Sequence, residues 1–283
     1  MTEITEKAML VRLNIRQWGA RKYDKRVTHK VEETFNAQNA GRFNKRLVAE
    51  AAVKKVAKTA NAARSFHYEN TLPWGDDGAR ILLAQNYLPY TGRMRELKAD
   101  FEASVTKFIE DYRDLVEAAQ EYLNGMFNAD DYPDEAQIRT KYGLEVSVDP
   151  LPAEGDFRVE LQSDEVRQIR ERIHARNRTA YQEAMRDVWG RLYKTVQHMA
   201  DRLHDADAKF KNSLVTNLRD LCALLPRLNL KDSKELEEMR RQVEKKLCRI
   251  EPHTLRNDKQ IRSQVASDAS DILDVMKGYI GHG

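Results

Sequence analysis

The chain has 283 residues, of which 41% are apolar and 33% charged, with 48 Lys and Arg against 45 Asp and Glu. Such a balance suits a helix-rich protein with long solvated faces, and 12 Gly and 7 Pro are too few for the turns of an all-β fold. No apolar run approaches the roughly 20 residues of a membrane span, and the opening MTEITEKAML lacks the pattern of a secretory leader.

In chain order, residues 9–16 alternate, with Val11, Leu13 and Ile15 on one face and Arg12, Asn14 and Arg16 on the other, which predicts a half-buried strand. A short helix follows from about Lys25, with Val27, Val31 and Phe35 on one side. An Ala-rich helix is predicted over 43–65, and 70–78 is a loop by its Pro and Gly content. Met94, Leu97, Phe101, Val105, Phe108, Tyr112 and Leu115 recur at helical spacing and predict a long helix over 91–124 that stops at Asn124-Gly125. A short helix over 133–142 precedes two alternating runs, Leu144–Val148 and Phe157–Leu161, read as a hairpin that pairs with strand 9–16. Ser163-Asp164-Glu165 opens a second long helix with a seam from Val166 to Leu203. Helices over about 209–225, 233–247 and 258–279 complete the chain. Cys222 and Cys248 show no metal-ligand spacing and read as buried free thiols.

The expected fold is mainly α (α+β): a long antiparallel helical pair, a small three-stranded sheet and a C-terminal helical bundle. Its segments are a basic strand and helices over 1–70, the first long helix and hairpin over 71–162, and the second long helix and bundle over 163–283, in one continuous fold.

Charge is the feature most informative about function. Residues 1–64 hold 15 Lys and Arg against 6 Asp and Glu, while the remainder hold 33 against 39. This asymmetry points to a polyanionic partner. Arg16, Arg21, Lys22, Lys25 and Arg26 surround Trp18 and Tyr23, Arg42, Lys45 and Arg46 surround Phe43, and Lys54, Lys55 and Lys58 follow. Cations interleaved with aromatics are what single-stranded nucleic acid needs, phosphates being held by charge and bases by stacking. Arg167, Arg170, His174 and Arg178 form a second basic stripe, set against an acidic stretch over 100–135 that offers it a pairing surface. Glu171-x-x-His174 has the spacing of di-iron bundles but lacks a second such motif, so no metal is expected. No phosphate-cradling loop, nucleophile elbow or zincin motif occurs, so neither catalysis nor a cofactor is expected.

The segments Thr71–Leu83, Tyr87-Leu-Pro-Tyr-Thr, Phe157-Arg-Val-Glu-Leu and Leu224-Leu-Pro-Arg-Leu-Asn-Leu resemble an uncharacterised family of mainly helical accessory proteins. That family occurs in tailed phages, conjugative plasmids and integrative elements, encoded near MoxR-type AAA+ ATPases and DNA-recombination genes. The resemblance implies a bacterial cytoplasmic protein of DNA metabolism, without catalytic residues. The expected function is therefore a non-enzymatic nucleic-acid-binding protein, for single-stranded DNA, acting in replication or recombination. The alternative is a coiled-coil adaptor or scaffold for an AAA+ ATPase, self-assembling as a homo-oligomer, or an inhibitor of a host defence protein.

Overall fold

The computed structural model describes residues 2–75, 77–153, 163–205, 211–230 and 232–280. Packing divides the chain into two compact units, one of Met1–Arg12, Tyr68–Tyr90 and Ser147–Gly283, the other of Leu13–His67 and Thr91–Val146. The predicted three-part division follows chain order, whereas the packing interleaves separate stretches.

A short helix, α1 (Thr2–Lys7), leads into β1 (Ala8–Arg16), as the alternation predicts. The first half of β1 is covered on both faces, since Leu10 and Val11 are both buried. The reason is its central place in a four-stranded sheet, ordered β4 (Leu72–Pro73), β5 (Arg80–Leu83), β1, β6 (Gly143–Pro150). In register, Ala8 faces Leu83 and Val11 faces Arg80, while Leu72 faces Ile81. The sheet is thus larger than the expected three strands. Ile81, Leu82 and Leu83 are all buried, so β5 has no alternation to betray it, and the segment around it reads as loop. Pro73 needs no ladder donor on the edge strand. The predicted arm Phe157–Leu161 lies outside the described residues.

The first unit is organised by α7 (Ser163–His204), which has the predicted extent. Its seam is buried from Ala180 through Ala184, Val188, Leu192, Val196 and Met199 to Leu203, whereas Val166, Ile169 and Ile173 are only half-buried. The long partner of α7 in this unit is α11 (Lys259–Ile280). Trp189 stacks on Tyr279 at 5.0 Å, and Arg262 Nε donates to the Leu203 carbonyl at 3.0 Å, so the two helices run antiparallel. The two long helices read from the sequence fall in different units. The rest of this unit comprises α8 (Ser213–Leu224), α9 (Lys234–Val243), a π-turn at Glu244–Cys248 and α10 (Pro252–Asn257). Cys222 and Cys248 are buried and free, their sulfurs 4.0 Å apart.

The second unit holds β2 (Arg21–Tyr23), α2 (Lys25–Phe35), β3 (Asn44–Arg46) and most of α3 (Glu50–Asn70) and α4 (Ala84–Glu110). It also holds α5 (Tyr112–Leu123) and α6 (Glu135–Thr140). The Ala-rich helix starts at Glu50 rather than residue 43, because residues 44–46 pair with β2 instead. The predicted 91–124 helix begins earlier, at Ala84, and Pro89 sits close enough to that start to interrupt little of the ladder. The break between α4 and α5 is slight, since Asp111 still donates to Lys107 and accepts from Leu115. The stop is made by Asn124, which takes the positive φ of 46° in place of Gly125. Phe101, Phe108 and Tyr112 are buried, and Phe101 and Phe108 meet Tyr142 edge-on at 6.4 and 5.9 Å.

Two tests follow from this packing. Leu192 is fully buried on the α7 seam, so Leu192→Ala should lower the unfolding free energy by about 2–5 kcal/mol in urea titrations. Glu237 accepts from Nε and Nη2 of Arg240, each at 2.8 Å, and from Arg241 at 3.0 Å, and these bonds hold its carboxyl down at about 2. A depressed carboxylate stabilises the fold above the ordinary Glu range and ceases to as pH falls toward the folded value. Glu237→Gln should therefore destabilise at pH 7, with the deficit from wild type shrinking as urea titrations move below about pH 4.5.

Candidate nucleic-acid interface

The basic N-terminal region builds a small ribbon in the second unit. After β1, Ala20 takes a positive φ of 47°, and its buried carbonyl accepts from Leu47 N at 2.8 Å, closing the far end of the ribbon. β2 and β3 pair antiparallel, with Arg21 opposite Arg46, Lys22 opposite Lys45 and Tyr23 opposite Asn44. Asp24 then caps α2 by accepting from Val27 N at 3.0 Å, and its own N–H bonds the Phe43 carbonyl. Asn36 ends α2 in the left-handed conformation and turns the chain back toward β3.

Strand alternation sorts the ribbon's cations onto two faces. On the inner face Lys45 is only 3% exposed, and its ammonium meets Asp131 at 2.6 Å, Asp24 at 3.9 Å and the Met126 carbonyl at 2.6 Å. Lys22 reaches the same Asp131 at 3.9 Å. On the outer face lie Arg21, Tyr23, Asn44 and Arg46, all exposed. Arg42 places its guanidinium 5.5 Å from the Tyr23 ring centroid, a cation–π contact.

The structure sorts the residues named from the sequence by their partners. Lys45 serves the fold, because a buried ammonium must keep its carboxylates. Trp18 is half-buried and packs edge-on against Phe108 and Tyr112 at 6.2 and 6.0 Å, so its ring is engaged within this unit. Arg16 is tied to Glu145 at 3.3 Å and lies over Gly143, where a Cβ would fall 2.8 Å from its guanidinium. Arg26 donates to the Gly125 carbonyl at 3.0 Å. Glu50 is shared by Arg46 and Lys54; the Lys54 hydrogen bond and the Arg46 charge hold its carboxyl below the ordinary range. Arg21, Lys25, Lys55 and Lys58 are exposed and have no ion pair among the described residues. Tyr23 and Phe43 remain exposed, at 43% and 38%.

The second stripe belongs to the first unit. Arg170, Arg172 and Arg178 are exposed, while Arg167 pairs with Asp164 at 3.1 Å. Arg176, on the same helix, stacks 5.2 Å from the Trp74 ring centroid and reaches Asp77 at 3.8 Å. Sequence reasoning also missed Asp131 as the inner counterion, since its partner lies 86 positions away in the chain. Among the described residues no group of three or more His, Cys, Asp or Glu side chains is placed to hold a metal. No described helix is long and apolar enough to cross a membrane. In comparisons with known proteins, the chain matches no family model, no curated protein and no solved structure.

The division between structural and outward cations is testable by stability. Lys45→Ala takes from Asp131 its nearer cation and from the Met126 carbonyl its donor, and should cost about 3–5 kcal/mol in urea titrations. Lys55→Ala, on the exposed side of α3, should change stability by less than about 0.5 kcal/mol.

Proposed function

We propose that this is a non-enzymatic nucleic-acid-binding protein whose contact surface is the outer face of the β2–β3 ribbon, extended by Lys25 and by Lys55 and Lys58 of α3. The observation that carries the reading is the register of Arg21 opposite Arg46 on an exposed two-stranded ribbon. Like charges directly across a strand pair destabilise it, and so short a ribbon has little stability to lose. Glu50 answers the charge of Arg46, which leaves Arg21 without an ion pair among the described residues, and a phosphate chain lying along that face supplies its counterion. Tyr23, braced by Arg42, supplies an exposed ring on which a base can stack, which favours a single strand over a duplex. The resemblance of the Thr71–Leu83 and Leu224–Leu230 segments supports a role in the cytoplasm of a bacterial host, in replication or recombination of a phage or other mobile element.

A second reading, an adaptor or scaffold for a MoxR-type AAA+ ATPase or an inhibitor of a host defence protein, draws on the exposed acids Asp100, Asp114 and Glu121 of α4 and α5. Those carboxylates suit a basic protein surface, and self-association through helical seams belongs to the same reading.

Fluorescence anisotropy with a labelled oligo-dT and its duplex, at two salt concentrations, separates the two. The ribbon reading expects tighter binding to the single strand and a log–log salt slope that falls by about 0.7 for each of Arg21→Ala and Arg42→Ala. Tyr23→Ala should weaken binding by about 1–3 kcal/mol if a base stacks there. Absence of binding at low salt refutes the ribbon reading, and co-purification with an ATPase in that case supports the second.

A further inference from the structure

The first unit contains a cleft of about 1100 Å³ between α7, α8 and the segment that enters and leaves β4. Ligand sites for drug-sized molecules run to roughly 300–1,000 Å³, so a nucleotide fits within it. Its lining carries five guanidinium or ammonium groups against three carboxylates, Glu69, Asp187 and Asp220.

Two of the cations form a rigid floor. Arg80 donates to the Thr71 hydroxyl at 2.7 Å and to the Thr71 carbonyl at 3.1 Å, and lies 4.7 Å from the Tyr68 ring centroid. Arg191 donates to the carbonyls of Tyr68, Glu69 and Thr71 at 3.0, 2.6 and 2.8 Å and pairs with Asp187 at 2.7 Å. Burial, and next the charge of Arg191, disfavour the charged form of Arg80, so positive charge is crowded here.

The rim is made by Lys194, His198, Arg202 and Lys211, all exposed and without an ion pair among the described residues. The first three sit one turn apart along α7, on the side that carries Arg191. The cleft is also lined by Ser213 and Asn217 from the start of α8. Asn212, the residue placed to cap that helix, makes no side-chain cap; its amide oxygen accepts from Arg256 instead. The positive end of α8 thus adds to the same field. Leu214, Leu221 and Leu224 give one wall an apolar surface.

The geometry points to a binding site for a phosphate-bearing small molecule with an apolar or aromatic body, of the nucleoside di- or triphosphate class. The phosphates lie against Lys194, Arg202, Lys211 and the start of α8, and the body lies on the leucine wall. This site is independent of the ribbon, being built from other residues in the other unit.

Isothermal titration of the full chain at low salt tests the assignment with ADP, pyrophosphate and adenosine. ADP should bind most tightly, pyrophosphate more weakly through charge alone, and adenosine not measurably. Lys194→Ala with Arg202→Ala should weaken ADP at least about tenfold while leaving the ligand-free melting temperature unchanged. Lys211→Ala alone, on a different segment, should weaken it in the same direction and serves if the double variant misfolds. The assignment is overturned if ADP does not bind, if adenosine binds as well as ADP, or if these substitutions leave affinity unchanged. It is equally overturned if ADP binding is lost in Arg21→Ala/Arg42→Ala and kept in the cleft variants, which places the anion on the ribbon.

Discussion

One buried ammonium decides which charges this protein can show. Lys45 sits at 3% exposure between Asp131 and Asp24, and taking it away would remove the buried cation that both carboxylates face. Because strand neighbours alternate sides, anchoring Lys45 inward obliges Asn44 and Arg46 to point out, and pairing obliges Arg21 and Tyr23 to do the same. The outward face is thus a by-product of an inward ion pair. Desolvation makes such a pair intolerant of change, and the ribbon inherits its fixed sidedness.

Charge composition located the basic region correctly but could not sort it. Spacing alone does not tell Lys45 from Arg46, although one is internal and the other exposed; the difference lies in Asp131, a residue far along the chain. Trp18 shows the same limit from the apolar side. Its cationic neighbours suggested a stacking platform, while its ring is held against Phe108 and Tyr112. Helices with a sustained seam were legible, α7 to within a residue or two of its described ends and α4–α5 over most of their length. Short apolar strands were not. Ile81–Leu83 has both faces covered, so no alternation marks it, and β2 and β3 are three residues each with polar side chains.

Arginine does the long-range joining in the first unit. Arg191 gathers three carbonyls at the end of α3 and the entry to β4, and Arg262 takes the last carbonyls of α7. Each planar guanidinium satisfies several backbone acceptors that a helix end leaves open, which a lysine's point charge would do less well. The same habit leaves positive charge concentrated where helices terminate. That is why the cleft beside α8 is cationic.

The interleaving of the two units has a consequence for synthesis. Every segment of the second unit has emerged from the ribosome once Val146 is free, so its aromatic core can close early. Strand residues 8–12 precede that unit in the chain, yet their own unit also needs α7 and α11, which follow it. For much of translation the start of β1 therefore waits with its apolar side chains uncovered, and chaperone occupancy on the nascent chain should concentrate there.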